Sequence, residues 1–169
     1  LAMGMSEIAN ISERRIEKMM NPSFSDLPAF LVESNGLNSG LMIAHVTAAA
    51  LASENKYLCH PASIDSIPTS TDKEDHVSMG VTAGLKLQTV IENTKNCLAI
   101  ELLCSCQALE FQRPLKGSRS IELVHQAVRK KVNVLEEDRY LADDIKSILD
   151  LISKEELTLL VEERIGELK

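Results

Sequence analysis

At 169 residues the chain is long enough to bury a core without disulfides or metal, and one domain is the default. A formal net charge of -7, with Arg129-Lys130-Lys131 the only dense basic run, argues against nucleic acid or an anionic membrane as partner, because phosphate binding rests on concentrated Lys and Arg. Only 3% of residues are aromatic and none is Trp, which disfavours a β-sandwich or barrel; abundant Ala, Leu, Glu and Lys point to an all-α fold.

The first twenty residues read as helix. Leu1, Met5, Ile8, Ile11, Ile16 and Met19 recur at spacings near the helical repeat, with Glu7, Glu13, Arg14, Glu17 and Lys18 on the other face. No N-cap precedes the pattern, so the chain is expected to have been cut from something longer. Asn21-Pro22 stops the helix, and a connector containing Pro28, Gly36 and Gly40 follows. LMIAHVTAAALASENKYL reads as an interior helix with Asn38 or Ser39 as N-cap, its Ala48-Ala49-Ala50 run permitting close approach of a neighbour. His45 on its apolar surface is expected to be a hydrogen-bonded core histidine.

After a loop carrying Pro61 and Pro68, a proline-free pattern runs from about Asp72 to Gln112. Forty residues at about 1.5 Å each make a rod of roughly 60 Å. A compact chain of this size has a radius of gyration near ~15 Å, so such a rod is expected to pack against something beyond the chain. CLAIELLCSCQALEF is apolar nearly all round and predicts burial on most sides. Gly80 and Gly84, four apart, predict close helix packing. Beyond Arg113-Pro114 come three amphipathic helices, SIELVHQAVRKKVNVL, LADDIKSILDLI and KEELTLLVEERI, the last opened by a capping box at Ser153 and Glu156. They read as peripheral helices with solvated charges, and His125 is expected to be exposed.

The cysteines, Cys59, Cys97, Cys104 and Cys106, lack zinc-site spacing; Cys97 and Cys104 read as buried small residues. With no secretory signal and no apolar run of about 18 to 20 residues, a reducing cytoplasm is the expected compartment.

The stretch STDKEDHVSMG, residues 70–80, admits two readings. Thr71-Asp72-Lys73-Glu74 fits a helix capping box, and Asp72 and Asp75 would suit the positive end of the helix. Glu74, Asp75 and His76 could instead be a piece of chemistry. Metal is not expected there, since adjacent helical residues diverge and the paired histidines of a metal helix are absent. No phosphate-binding loop, nucleophile elbow or dinucleotide fingerprint occurs.

The runs ISERRIEKMM, LPAFLVESNGLNSGLMIAHVTAAALASENK, HPASIDSIPTSTDKEDHVSMG and LAIELLCSCQAL resemble the carboxy-terminal part of the histidine ammonia-lyases, within the aromatic amino-acid lyases. The resemblance is dense over residues 1–112 and looser over 113–169, which suggests core helices followed by peripheral ones. It implies elimination of ammonia from L-histidine to trans-urocanate by a methylidene-imidazolone electrophile cyclised from Ala-Ser-Gly, without metal, in a helical homotetramer with each site assembled from three subunits. By the same resemblance Glu74 matches the family's active-site glutamate, as the candidate catalytic residue, and Ser70 falls at a substrate-facing position. Lys73, a second candidate for substrate binding, stands where Gln is common in the family, and is expected to depress the Glu74 pKa or pair with it. No Ala-Ser-Gly occurs in this sequence: the nearest is Asn38-Ser39-Gly40. The chain alone is therefore expected to be inactive without the amino-terminal part of the same enzyme. Two rivals are a non-enzymatic helical assembly module and a phenylalanine or tyrosine lyase.

Overall fold

Helix α1, Ala2–Met20, runs almost from the first residue and ends where Asn21 turns extended before Pro22. The computed structural model describes residues 1–34 and 36–167; residue 35 of the expected connector and the last two residues of segment 113–169 lie outside the described residues. A four-residue helix α2, Pro22–Ser25, leads through a 3-10 turn, Ala29–Leu31, to α3, Met42–Leu58. A long loop with a 3-10 turn at Ala62–Ile64 reaches α4, Gly80–Phe111, and then come α5, Arg119–Arg129, α6, Ala142–Ser153, and α7, Glu156–Ile165. The described residues contain no strand; Thr69 and Glu74 form an isolated bridge.

Helix α4 is the axis. At 32 residues it is about 48 Å long. Helices α1 and α3 pack along it and on each other, α6 lies on it from another side, and α7 rests on α5 and α6. The α1 face that enters this core is not the one that periodicity suggests. Ser6, Ala9, Ser12, Glu13, Ile16 and Met20 are buried, whereas Leu1, Ile8 and Ile11 are exposed. Small residues won this face because they bring the backbones close enough to bond: the Ser12 hydroxyl donates to the Cys97 carbonyl at 3.2 Å, and that of Thr94 reaches the Met5 carbonyl at 3.2 Å. Ala44, Ala48 and Ala52 do the same for α3, and the Cys97 thiol donates to the Ala48 carbonyl. Cys97, Ile100, Leu103, Cys104 and Cys106 are buried as the apolar run of α4 suggested. Burial pushes the thiols of Cys97 and Cys106 up to about 11 and that of Cys104 higher still, so all three stay protonated at neutral pH.

Several local expectations are corrected. Helix α3 starts at Leu41 with no side-chain cap. Asn38 and Ser39 serve a different contact: the Asp138 carboxylate accepts from the Ser39 and Gly40 amides at 2.8 Å each, and the Asp138 amide donates to the Asn38 side chain. Gly40 has φ +54, and a Cβ there would lie 2.5 Å from the Phe30 carbonyl oxygen, so only glycine fits. Helix α7 has no capping box either; Ser153 closes α6, and α7 follows a left-handed Glu155. Among the described residues nothing stands within 4 Å of a Cβ on Gly84, and one on Gly80 would meet the Ser78 hydroxyl at 3.5 Å, so no neighbouring helix among them packs on the glycine pair.

His125 is buried, not exposed. Its Nε2 lies 2.8 Å from Glu110 and its Nδ1 3.2 Å from Arg113, which also pairs with Glu122. With the ring neutral, Nε2–H donates to Glu110 and Nδ1 accepts from Arg113, so both nitrogens are satisfied. Val128, Val132, Leu135, Ile148 and Leu151 of the same carboxy-terminal segment share one hydrophobic core with α1, α3 and α4. His45 is partly buried, with its Nε2 2.9 Å from Glu13.

Candidate active-site segment

The loop between α3 and α4 projects from one end of the bundle, because its sequence can continue neither helix. Pro61 and Pro68 lack the amide a helix needs, and Ser, Thr and Asp offer the backbone local partners that compete with helix. Two ties hold its base: the Lys86 ammonium donates to the His60 carbonyl, and the Val77 amide donates to the Ser66 hydroxyl at 2.7 Å.

At the tip the chain reverses on itself. The Thr69 amide donates to the Glu74 carbonyl at 3.0 Å and the Glu74 amide to the Thr69 carbonyl at 3.4 Å. Between them Ser70, Thr71 and Asp72 all have left-handed backbones, with φ of 56°, 56° and 65°. Non-glycine residues rarely adopt this conformation, and three in succession persist only where the surroundings enforce it. The expected capping box is therefore absent. Glu74 turns its carboxylate to the Thr69 hydroxyl, which donates to Oε2 at 2.9 Å, and α4 begins six residues later from a left-handed Met79.

The turn brings the three candidate residues together. Ser70, Lys73 and Glu74 all lie on its exposed rim, Ser70 accepting from the Lys73 amide through its carbonyl. Among the described residues no ion pair joins Lys73 to Glu74. Asp75 and His76 are exposed beside them, and no group of three or more metal-ligating side chains forms among the described residues. The partner that sequence reading missed is Thr69. Its only signal is a threonine after Pro68 and five residues before the glutamate, a pattern that a helix cap equally accounts for.

Chemically, the tip offers one exposed carboxylate fixed by a hydroxyl donor. Such a group can accept a charge-assisted hydrogen bond from an ammonium or imidazolium, or exchange a proton with either.

Residues 1–130 match the family model described as aromatic amino acid lyase. The chain is 54% identical over 159 residues to a histidine ammonia-lyase of Anaeromyxobacter sp. (strain K), covering 94% of this chain and 31% of that protein. Among solved structures, histidine ammonia-lyase from Trypanosoma cruzi superposes with a TM-score of 0.94 at 50% identity, over 96% of this chain and 32% of that one. Tyrosine aminomutase from Streptomyces globisporus superposes with a TM-score of 0.91 at 33% identity, over 99% of this chain and 32% of that one. The chain thus spans about a third of the length of the relatives it matches.

Proposed function

The chain belongs to the aromatic amino acid lyase family, and from that premise we propose that it is the carboxy-terminal part of a histidine ammonia-lyase, to which it contributes helices and the Glu74 carboxylate. The single observation that carries the substrate is the difference in likeness: 54% identity to a histidine ammonia-lyase against 33% to a tyrosine aminomutase of the same fold. In this reading residues 1–112 supply core helices of a homotetramer, residues 113–169 flank them, and the enzyme works in the cytoplasm. Ammonia leaves L-histidine and trans-urocanate remains.

The carboxylate suits such a substrate. L-histidine presents an ammonium and an imidazole that can carry charge, and Glu74 can hold either by a charge-assisted bond that a neutral side chain would weaken. Ser70 and Lys73 sit on the same rim and are proposed to face the bound substrate. The exposure of the tip supports a site completed by residues from elsewhere in the enzyme.

The electrophile of this family is the methylidene-imidazolone formed from Ala-Ser-Gly. The residues present here do not fit it. Asn38 stands where alanine would be needed, and the amides of Ser39 and Gly40 are already donated to Asp138. The chain's own share of the chemistry is the carboxylate.

The test is an initial-rate comparison on L-histidine, L-phenylalanine and L-tyrosine with the full-length enzyme that contains this chain, beside the isolated chain. The intact enzyme should release urocanate from histidine far faster than products from the other two, and the isolated chain should release none. Preference for phenylalanine or tyrosine, or robust turnover by the chain alone, would overturn the reading.

A further inference from the structure

We propose that Thr69 is a positioning residue for Glu74, locking the carboxylate to one place on the turn so that a single oxygen faces the substrate. This rests on the reading of Glu74 as a substrate-facing group.

Glutamate on an exposed rim normally samples many rotamers, and a fixed direction must be imposed on it. Thr69 imposes one from three sides. Its amide and carbonyl close the backbone bridge to Glu74, and its hydroxyl takes Oε2 at 2.9 Å. No described residue engages Oε1, which is left to accept from a bound cationic group. The bridge also spans Ser70, Thr71 and Asp72, whose left-handed backbones need such a clamp. Both tasks meet in one residue: threonine's branched β-carbon suits the extended bridge position, and its hydroxyl supplies the donor. Lys73 forms no described ion pair with Glu74, so the carboxylate keeps its charge available for substrate.

The experiment is a double-mutant cycle in the full-length enzyme containing this chain, reading kcat and KM for L-histidine. Thr69→Val keeps the shape and removes the donor; it should lower kcat/KM about tenfold, the scale of one charge-assisted hydrogen bond. Thr69→Ser keeps the donor and should stay within about twofold of the parent, close to the usual error of additivity. Thr69→Val combined with Glu74→Ala should be no slower than Glu74→Ala alone, because a lock without its bolt has nothing left to lose. If Thr69→Val does not fold, Thr69→Ala takes its place in the cycle. An impaired Glu74→Ala beside an unimpaired Thr69→Val, a Thr69→Ser as slow as the valine variant, or losses that simply multiply would overturn the role of Thr69 alone. A Glu74→Ala enzyme with parental kinetics would instead overturn the reading of Glu74 on which it rests.

Discussion

Glu13 and Glu110 are two carboxylates built into the fold, each paired with both an arginine and a histidine. Glu13 is buried between Arg14, which reaches it at 2.5 and 2.6 Å, and His45. The Arg14 hydrogen bonds, against the opposing effect of burial and with help from His45, hold its carboxyl below the ordinary 4.5. For Glu110 burial pushes upward most strongly, and Arg129 and His125 outweigh it, so this carboxyl too titrates below 4.5. A carboxylate whose folded pKa is depressed contributes its stability above the unfolded value and loses it as the pH falls through the folded one. The melting temperature of the chain should therefore hold from neutral pH down to about 5 and fall below that, with Glu13→Gln flattening the acid limb. A midpoint unchanged to about pH 3 in thermal melts followed by circular dichroism would contradict this. Gln107 shows the same economy with no charge of its own: buried on α4, it donates to the Leu31 and Leu135 carbonyls and accepts from the Leu135 amide and Arg129. One side chain ties the first connector to the loop after α5.

The helices meet through small residues, and this sets what a substitution costs. Ala48 is fully buried on α3 where it meets Cys97 of α4, whereas Ala50 is exposed. Ala48→Leu should cost about 1–3 kcal/mol through overpacking, lowering the melting temperature by roughly 3–10 °C, while Ala50→Leu should change it by less than about 2 °C. Equal losses would mean that α3 does not use its alanines to approach α4. The same small residues explain what could be read in advance. The all-α class, the stop at Asn21-Pro22 and the burial of the Cys97–Ala108 stretch follow from strong local signals. The face of α1 did not, because Ser6, Ala9 and Ser12 are chosen for backbone approach, which hydrophobic periodicity does not register. The start of α4 was misplaced for a related reason. Thr71 and Glu74 spell a capping box, but the bridge from Thr69 claims the same amide and the same carboxylate, and a contact that closes a turn is invisible in a pattern of caps. The burial of His125 is not legible locally because its partner Glu110 lies fifteen residues away on another helix.

The candidate site is local in sequence and exposed in the fold, which is what a part of a larger active centre should look like. Ser70, Lys73 and Glu74 are candidates on the resemblance alone, and their arrangement is not legible in it. They ride on a strained turn at the end of the bundle and not on the first turn of a helix. Around this end and along α1, apolar side chains stand open to solvent: Val81 and Leu85 on α4, Ile64 and Ile67 in the loop, Ile8 and Ile11 on α1. Surfaces of this kind fit assembly with further chain, and they also suit the rival reading of a module that assembles without catalysing. What separates the two is whether Glu74 matters to a reaction. The direct measurement is urocanate formation from L-histidine by the full-length enzyme and its Glu74→Ala variant, with oligomeric state checked by light scattering. Turnover should fall at least about tenfold with the oligomeric state unchanged, the loss of one charge-assisted contact or more; parental turnover in the variant would contradict the assignment of Glu74 and return the turn to a structural role.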